Sequence, residues 1–225
     1  MRTSIARSVA VPRRPRVYLV RHGEADWNAE GRLCTRTDRP LTDTGRQQAI
    51  VLGRRLAGVR FDAAITSPLV RASETASLIL HGADRADPPP IEVDGRLVEV
   101  DFGPFEGWTE ADLAADPRGR AWRAGTVGHV DGMEDDSHAL ARAREVFAGL
   151  ERRTQTTLVV SHGYFLRLLI VSCVLGLGAD AVRRLRIRNC RPAVVEPGRP
   201  PLLLGLNLEG AEVSDVAARA GEPRA

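Results

Sequence analysis

The sequence predicts an α/β fold, a three-layer sandwich in which helices flank a mostly parallel central sheet. The prediction rests on short β-rich runs that alternate along the chain with segments of helical periodicity. The predicted strands are RVYLV (16–20), DAAIT (62–66), IEV (91–93), TTLVV (156–160) and LLLGLNL (202–208). Strands separated by helices in this way are typical of a layered domain whose strands run parallel.

Three predicted helices carry their own end signals. The segment 42–58 opens with candidate caps at Thr42 and Asp43, and apolar residues then recur at helical spacing. The segment 67–82 starts with Ser-Pro and stops at a glycine. The segment 136–153 has acids at its start and arginines at its end, as the helix dipole favours.

One domain, over residues 16–212, is the simplest organisation, because the chain contains no internal repeat. Residues 1–15 are predicted to be a basic flexible tail, and 213–225 a C-terminal tail or a terminal helix that frays. The proline-rich stretches 87–90 and 191–201 are predicted loops.

The chain of 225 residues contains no lysine. A lysine-based phosphate loop, a Schiff base and a lysine general base are therefore all excluded. Basic chemistry falls to arginine, whose planar fork suits phosphate and carboxylate groups. No cofactor is expected.

Charge and cysteine content exclude further classes. The net charge of +3 comes from the first 16 residues, which hold five arginines and no acid. No basic stripe or aromatic platform follows, so nucleic-acid binding is not expected. Three scattered cysteines indicate neither zinc nor disulfides.

The apolar run LLIVSCVLGL (168–177) is about half the ~20 residues that span a bilayer, so a core helix with a buried Cys173 is predicted. The N-terminus does not read as a signal peptide. We expect a cytoplasmic protein without a membrane segment, either a monomer or a homodimer.

Polar residues follow the predicted strands at the sheet edge where ligands bind in open α/β sheets. The first strand leads to Arg21 and His22, and the second to Ser67, with Arg71 one helical turn later. Ser161 and His162 follow the strand at 156–160, and Glu99 and Asp101 lie in GRLVEVDFG. Two histidines, two arginines and a carboxylate are thus predicted to share one edge.

This combination matches what phosphoryl transfer to a histidine requires. A neutral imidazole is a competent nucleophile near pH 7. Arg21, Arg71 and His162 would hold the charged oxygens, helped by backbone N–H groups of a helix starting near Tyr164. Glu99 would protonate the leaving oxygen and then activate water against the phosphohistidine.

The chain resembles the histidine phosphatase superfamily, in the branch of phosphoglycerate mutases, sugar bisphosphatases and acid phosphatases. Five blocks carry the resemblance in the family's order, over about residues 16–208: RHGEADWN, DRPLTDTGRQQA, SPLVRASETA, LVEVDFGPFEG and VVSHGYFLR. The resemblance implies a phosphoglycerate mutase-like fold and metal-independent chemistry. It also implies that His22 is phosphorylated, that Glu99 donates the proton, and that Arg21, Asn28, Arg71 and His162 hold the phosphoryl group.

Other pocket residues are expected from the same comparison. The pair Cys34-Thr35 stands where relatives often have a smaller pair after GR, and Tyr164 stands where many have glycine. Ser67 and Glu134 complete the predicted substrate-binding set. An aromatic residue followed by phenylalanine, here Tyr164-Phe165, resembles the acid- and sugar-phosphatase members.

The segment 108–137 is predicted to cover the pocket. It carries seven acids against three arginines, and it lacks the longer basic insert of the mutases. A small monophosphate with a neutral or cationic body, such as a sugar or amino-sugar phosphate, is therefore the expected substrate. A bisphosphoglycerate-dependent phosphoglycerate mutase and a non-catalytic binding module are the alternatives.

The remaining histidines have simpler explanations. His81 ends a helix, while His129 and His138 lie in a polar loop and a helix start. The acids around residues 131–138 lack regular ligand spacing and suit a helix N-terminus, so no metal site is predicted.

Overall fold

A computed structural model describes residues 14–82 and 87–218. One sheet of six strands forms its centre, in the order β3-β2-β4-β1-β5-β6. The strands are β1 (Val17–Arg21), β2 (Ala63–Thr66), β3 (Ile91–Val93), β4 (Thr157–Ser161), β5 (Ala193–Glu196) and β6 (Leu202–Gly205). The first four pair in parallel, whereas β5 is antiparallel to both β1 and β6. The predicted mostly parallel α/β sandwich is confirmed.

Helices cover both faces of this sheet. They are α1 (Asp26–Ala29), α2 (Asp43–Arg55), α3 (Val70–His81), α4 (Glu110–Ala115), α5 (Pro117–Ala124), α6 (Asp136–Glu151), α7 (Gly163–Leu169) and α8 (Ala211–Ala218). Alternate residues of β1 face opposite layers: Tyr18 packs in a core with α2 and α3, and Leu19 packs in a core with α6 and α7. Strands buried on both sides explain the continuous apolar runs in the sequence.

The predicted helices form with small shifts at their ends. The helix predicted from Ser67 begins instead at Val70, after an extended Leu69, because the Ser67 hydroxyl accepts a hydrogen bond from the Leu69 N–H and leaves the first turn non-helical. The apolar run around Cys173 is helical as predicted, with α7 continuing into a π-helical turn at Ile170–Val174.

Three expectations about the rest of the chain have different outcomes. The predicted loop 191–201 is wrong in part, because β5 lies inside it. Its buried residues Val194 and Val195 are β-branched and pair with β1, while the prolines flank the strand and remove none of its hydrogen-bond donors. Cys173 is half-buried rather than buried. Most of the predicted tails, 1–13 and 219–225, lies outside the described residues.

The pairing of β1 with β4 positions the site. Arg21 lies opposite Ser161 at the carboxyl end of the two strands, so His22 and His162 leave the sheet side by side. The carboxyl edge of parallel neighbours is where ligands bind in open α/β sheets.

The loop after β1 approaches α2 so closely that both chains need glycine at the crossing. A Cβ on Gly45 would lie 2.1 Å from the Glu24 carbonyl oxygen, and one on Gly23 would lie 2.4 Å from the Gly45 carbonyl oxygen. Neither backbone can accept a side chain without moving the loop that carries His22.

We expect Gly45→Ala to cost about 3 kcal/mol in the free energy of unfolding and to lower Tm by roughly 5–10 °C. Gly58→Ala is the matched control, since a Cβ there meets nothing within 4 Å, and it should change Tm little. Thermal unfolding followed by circular dichroism checks this; equal Tm values for the two variants would contradict the tight crossing.

Candidate active site

Two buried histidines face each other at the carboxyl edge of the sheet. The rings of His22 and His162 have centroids 5.1 Å apart at an interplanar angle of 61°. His22 is 2% exposed and His162 is not exposed at all. The juxtaposition predicted from two His-Gly pairs at strand ends is therefore present.

His22 has one nitrogen committed to the backbone and one available for chemistry. Its Nδ1 lies 2.7 Å from the Gly23 carbonyl oxygen, which can only accept, so Nδ1 carries the proton. Nε2 consequently has its lone pair, to which the Arg71 Nε–H donates at 3.2 Å. Burial lowers the pKa of His22 well below its ordinary value of 6.5, and the charges of Arg21 and Arg71 lower it further. A neutral imidazole whose Nε2 carries a lone pair is the form that a nucleophile needs.

Arg71 is fully buried and directed by three hydrogen bonds. Besides contacting His22, it donates from Nη1 to the Thr37 carbonyl oxygen at 2.9 Å and from Nη2 to the Thr35 carbonyl oxygen at 2.7 Å. The segment 35–37 therefore orients the guanidinium. Thr35 itself is 1% exposed and does not line the pocket, so its position favours support of Arg71 over the predicted contact with substrate.

Glu106 is a positioning residue that was not predicted from the sequence. Its carboxylate accepts hydrogen bonds from the Thr35 and Thr37 N–H groups, at 3.0 and 2.9 Å, and from the Thr35 hydroxyl. It therefore holds the loop whose carbonyls hold Arg71. An acid followed by glycine within the block LVEVDFGPFEG is the signal that could have found it.

We expect Glu106→Gln to lower kcat/KM for the phosphate ester hydrolysis that the sequence predicts by about tenfold or more. The amide has one acceptor oxygen, so a donor of the 35–37 loop loses its partner and Arg71 loses its fixed orientation, at about 1–3 kcal/mol per unpaired group. Steady-state phosphate release measures this, with Glu92→Gln on β3 as the control. A lower Tm with unchanged kcat/KM would show that Glu106 supports the fold alone.

His162 is held by Ser67. Its Nε2 lies 2.8 Å from the Ser67 hydroxyl oxygen, while the buried Nδ1 has no hydrogen-bond partner among the described residues. Burial again lowers the pKa well below 6.5, with the positive charges nearby adding to the effect. Ser67 is fully buried against His162 and does not line the pocket, so its position differs from that expected of a substrate contact.

The two buried histidines predict how stability depends on pH. Each has a pKa of about 6.5 when unfolded and a much lower one when folded, so the unfolded chain takes up protons first as the pH falls. Their contribution is complete above pH 6.5 and is lost progressively below it. Each histidine thus removes stability on the order of 1 kcal/mol between pH 7.5 and 5.5.

Urea unfolding of the wild type and of His162→Gln at pH 7.5 and 5.5 measures this loss. We expect the wild type to lose on the order of 1 kcal/mol more than the variant over this interval. If the free energy of unfolding fell equally in the two proteins, folding would not change the pKa of His162.

Glu99 sits against the start of α7. Its carboxylate accepts hydrogen bonds from the N–H groups of Tyr164 (2.9 Å), Phe165 (2.8 Å) and Val100 (2.9 Å), and it is 6% exposed. The expectation that this helix start donates to the phosphoryl group is therefore wrong for these two N–H groups. They lie nearest the carboxylate, and an anion at a helix N-terminus is stabilised there. Glu99 is thereby fixed at the pocket edge.

A pocket of about 440 Å³ opens beside these residues. Its lining comprises Arg21, Asn28, Arg32, Leu33, Cys34, Glu99, Phe102, Gly163, Tyr164, Arg167, Arg186, Ile187, Arg188 and Asn189. His22, Arg71 and His162 are too buried to appear in this lining. Of the predicted pocket residues, Asn28, Cys34 and Tyr164 are brought to the wall.

The pocket mouth is basic. Five arginines line it, and none of its lining residues comes from the predicted lid, 108–137. Four of the seven acids of that segment act within it: Glu110 pairs with Arg123, Asp112 and Asp116 cap helices, and Asp135 caps α6. The premise of an acidic mouth therefore finds no support in this lining, and the covering role of the segment stays a prediction.

Glu134 and Asn189 complete the surroundings. Glu134 pairs with Arg142 at 2.9 Å and Arg36 at 3.2 Å, outside the pocket lining. Asn189, which was not predicted, donates from Nδ2 to the His22 carbonyl oxygen at 2.8 Å.

Burial raises the pKa of the Cys34 thiol to about 11, so this residue of the pocket wall is a protonated thiol near pH 7.

Two structural features bear on the metal and membrane expectations. Within residues 14–82 and 87–218, no cluster of three or more His, Cys, Asp or Glu is arranged to hold a metal ion. In the same ranges, no helix combines the length and the apolar character needed to cross a bilayer.

Two buried histidines, two arginines and a carboxylate thus lie together at one sheet edge, the combination predicted from the sequence for a phosphoryl-transfer enzyme. The family model described as histidine phosphatase superfamily (branch 1) matches residues 17–200. The chain belongs to this superfamily.

Similar proteins include both a phosphoglycerate mutase, by its name, and phosphatases. A Salmonella arizonae protein named "Probable phosphoglycerate mutase GpmB" is 40% identical over 183 residues, which are 77% of this chain and 81% of that protein. The crystal structure of the alpha-ribazole phosphatase from Shigella flexneri aligns with a TM-score of 0.75 at 30% identity, over 86% of this chain and 96% of its own.

A phosphoserine phosphatase from Entamoeba histolytica aligns with a TM-score of 0.75 at 26% identity, over 87% of this chain and 98% of its own. The predicted enzyme class, a phosphatase of the histidine phosphatase type, agrees with the family and with both solved structures.

Proposed function

We propose that this protein is a metal-independent phosphomonoester hydrolase that acts through a phosphohistidine at His22. The observation that carries the proposal is the state of His22: neutral, with Nδ1–H bonded to the Gly23 carbonyl and with Nε2 facing Arg71. An imidazole held in this tautomer can attack phosphorus without first losing a proton.

The reaction would run in two steps. In the first, the His22 Nε2 lone pair forms a bond to phosphorus while the bond from phosphorus to the ester oxygen breaks, and Glu99, which must enter this step as the carboxylic acid, gives its proton to that oxygen and becomes the carboxylate. In the second, Glu99 takes a proton from water, the water oxygen attacks phosphorus, and the bond to Nε2 breaks. Inorganic phosphate and neutral His22 result.

Positive groups would hold the equatorial oxygens throughout. Arg71 now donates to Nε2, so attack requires that its Nε–H move from Nε2 to a phosphoryl oxygen. Arg21 lines the pocket, and its buried Nε has no hydrogen-bond acceptor among the described residues. Asn28 and His162 would supply the remaining contacts.

The substrate is proposed to be a small monophosphate ester. The expectation of a sugar or amino-sugar phosphate depended on carboxylates at the mouth, and the arginines that line the pocket do not support it. The leaving oxygen must approach Glu99, which is part of the pocket lining.

Phosphate release from a panel of sugar, nucleoside and glycerate phosphates, measured in EDTA, tests this function. Turnover in EDTA, with acid-labile and base-stable phosphate on the protein after rapid quenching, would support it. The absence of release from every ester would contradict it.

A phosphoglycerate mutase is the second candidate, because the Salmonella relative carries that name. It predicts interconversion of 2- and 3-phosphoglycerate that depends on 2,3-bisphosphoglycerate, with little net release of phosphate. The binding-module alternative is disfavoured by the intact set of His22, Glu99 and His162.

A further inference from the structure

An arginine on α6, behind the proposed proton donor, uses all the N–H donors of its guanidinium group. Arg142 donates from Nε and Nη2 to the Glu134 carboxylate, over distances of 2.9 to 3.1 Å. Its Nη1 donates to the carbonyl oxygens of Arg96 and Val98, each at 2.6 Å. The side chains of Arg142 and Glu134 are only 14% and 13% exposed. A planar fork bound to a carboxylate and to two carbonyls at once is fixed in a single orientation.

Arg142 and Glu134 together hold the backbone on both sides of Glu99. The Val98 carbonyl that Arg142 binds belongs to the peptide unit that leads into Glu99. On the other side of Glu99, the Glu134 carboxylate accepts a hydrogen bond from the Asp101 N–H at 3.1 Å. One ion pair therefore fixes the two ends of the short segment that carries Glu99.

Arg142 also contacts the helix start that binds the Glu99 carboxylate. The centre of its guanidinium group lies 4.5 Å from the centroid of the Phe165 ring, a distance at which a cation and an aromatic face attract each other. The N–H of Phe165 donates to the Glu99 carboxylate at 2.8 Å. Arg142 is not part of the pocket lining. It therefore acts on the position of the carboxylate from behind and does not meet the substrate.

We propose that Arg142 is a positioning residue for Glu99, and that it controls the transfer of a proton from Glu99 to the leaving oxygen. The proposal rests on the proposed hydrolase function and goes beyond it. A general acid must lie within hydrogen-bond reach of the atom that it protonates. A misplacement of about 1 Å in such a group can reduce the rate on the order of 10²-fold. Esters whose leaving group needs a proton should therefore depend on Arg142, and esters whose leaving group needs none should not.

Two esters that differ in this need test the role. The alkyl phosphate that the wild type hydrolyses fastest in the panel above releases an alkoxide, which must be protonated as it leaves. In contrast, 2,4-dinitrophenyl phosphate releases a stable phenolate without a proton. We would measure kcat/KM for both esters, because kcat/KM depends only on the steps up to formation of the phosphohistidine. Hydrolysis of that intermediate, in which Glu99 also acts, then does not affect the comparison.

We expect Arg142→Gln to lower kcat/KM for the alkyl phosphate by about tenfold or more, and to change that for 2,4-dinitrophenyl phosphate by less than about threefold. Glu99→Gln should show the same pattern with a larger loss. Adding Arg142→Gln to Glu99→Gln should then lower kcat/KM for the alkyl phosphate little further, because the two residues act on one step.

Arg144→Gln is the matched control, since Arg144 lies exposed two residues further along the same helix. It removes the same charge and should leave kcat/KM for both esters unchanged. Thermal unfolding shows whether Arg142→Gln is folded at the assay temperature. If it is not, Arg142→Lys replaces it: the ammonium group keeps a positive charge beside Glu134 but lacks the planar fork. The same dependence on the leaving group is expected of this variant.

An equal loss of kcat/KM for the two esters would overturn the positioning role, because a general defect in the fold does not depend on the leaving group. Unchanged kcat/KM for both esters in the Arg142 variants would overturn it as well. If the wild type hydrolyses neither ester, the hydrolase function is rejected, and amide hydrogen exchange at Tyr164 and Phe165 tests the positioning of Glu99. Exchange about tenfold faster in Arg142→Gln than in Arg144→Gln would support it, and equal exchange would reject it.

Discussion

Replacing His22 by asparagine is expected to lower kcat for phosphate release by about 10⁴-fold or more, and to abolish the acid-labile phosphoprotein. His22 supplies the bond-forming Nε2 in the proposed mechanism. Neither His162, which is hydrogen-bonded to Ser67, nor Cys34, whose thiol has a raised pKa, is placed to replace it. Removing a nucleophile from residues that act as a unit costs most of the rate enhancement. Rapid quench with radiolabelled substrate, alongside steady-state phosphate release, measures both effects.

The control for this variant is His81→Asn. His81 lies at the exposed end of α3, where its Nδ1 contacts the Ser77 carbonyl at 2.8 Å, and it takes no part in the site. It should keep wild-type kcat. Retained turnover in His22→Asn, with matching retention of protein-bound phosphate, would place the nucleophile elsewhere.

Arg71→Lys is expected to reduce kcat by about 10³-fold despite keeping the positive charge. Arg71 uses one fork to reach His22 and two loop carbonyls at once, and an ammonium group cannot reproduce that planar arrangement. A guanidinium that neutralises a transferring phosphoryl group accounts for 10³–10⁵ in rate in enzymes of other classes. Pre-steady-state kinetics should show that formation of the phosphoenzyme is the slowed step.

The matched control is Arg120→Lys. Arg120 also donates to two backbone carbonyl oxygens, those of Ala114 and Ala115, but at an exposed position on α5. It should retain wild-type kcat with a small change in Tm. If Arg71→Lys also stayed within a few-fold of wild type, Arg71 would be confined to holding the 35–37 loop.

Much of the fold follows from local sequence signals. The buried β1 and β4 are continuous apolar runs, and α2 begins at Asp43 with the Thr42 side chain capping Gly45 N–H, close to the predicted start. These signals are local, since periodicity and capping depend on residues a few positions apart. β5 was missed because four residues between prolines carry little periodicity, and its pairing with β1 is made across about 175 positions of the chain.

The residues of the candidate site also divide into those that local sequence signals predict and those that only long-range contacts reveal. His22, His162 and Arg71 could be predicted because each lies just beyond a strand or at a helix start, and Glu99 because it lies in the block LVEVDFGPFEG. The partners that set their chemistry could not, because those contacts join distant segments. Glu106 reaches Thr35 across 71 positions, and Glu99 reaches Phe165 across 66.

By itself, the sequence determined that this protein is a lysine-free α/β chain of the histidine phosphatase superfamily with two histidines at one sheet edge. Only the tertiary structure decided that Glu99 caps α7, that Thr35 supports Arg71, and that arginines rather than acids line the pocket mouth. The physical reason is that charge counted along a segment includes acids whose charge is used in capping and ion pairs. The field at a pocket depends on which side chains remain unpaired where the chain folds back on itself.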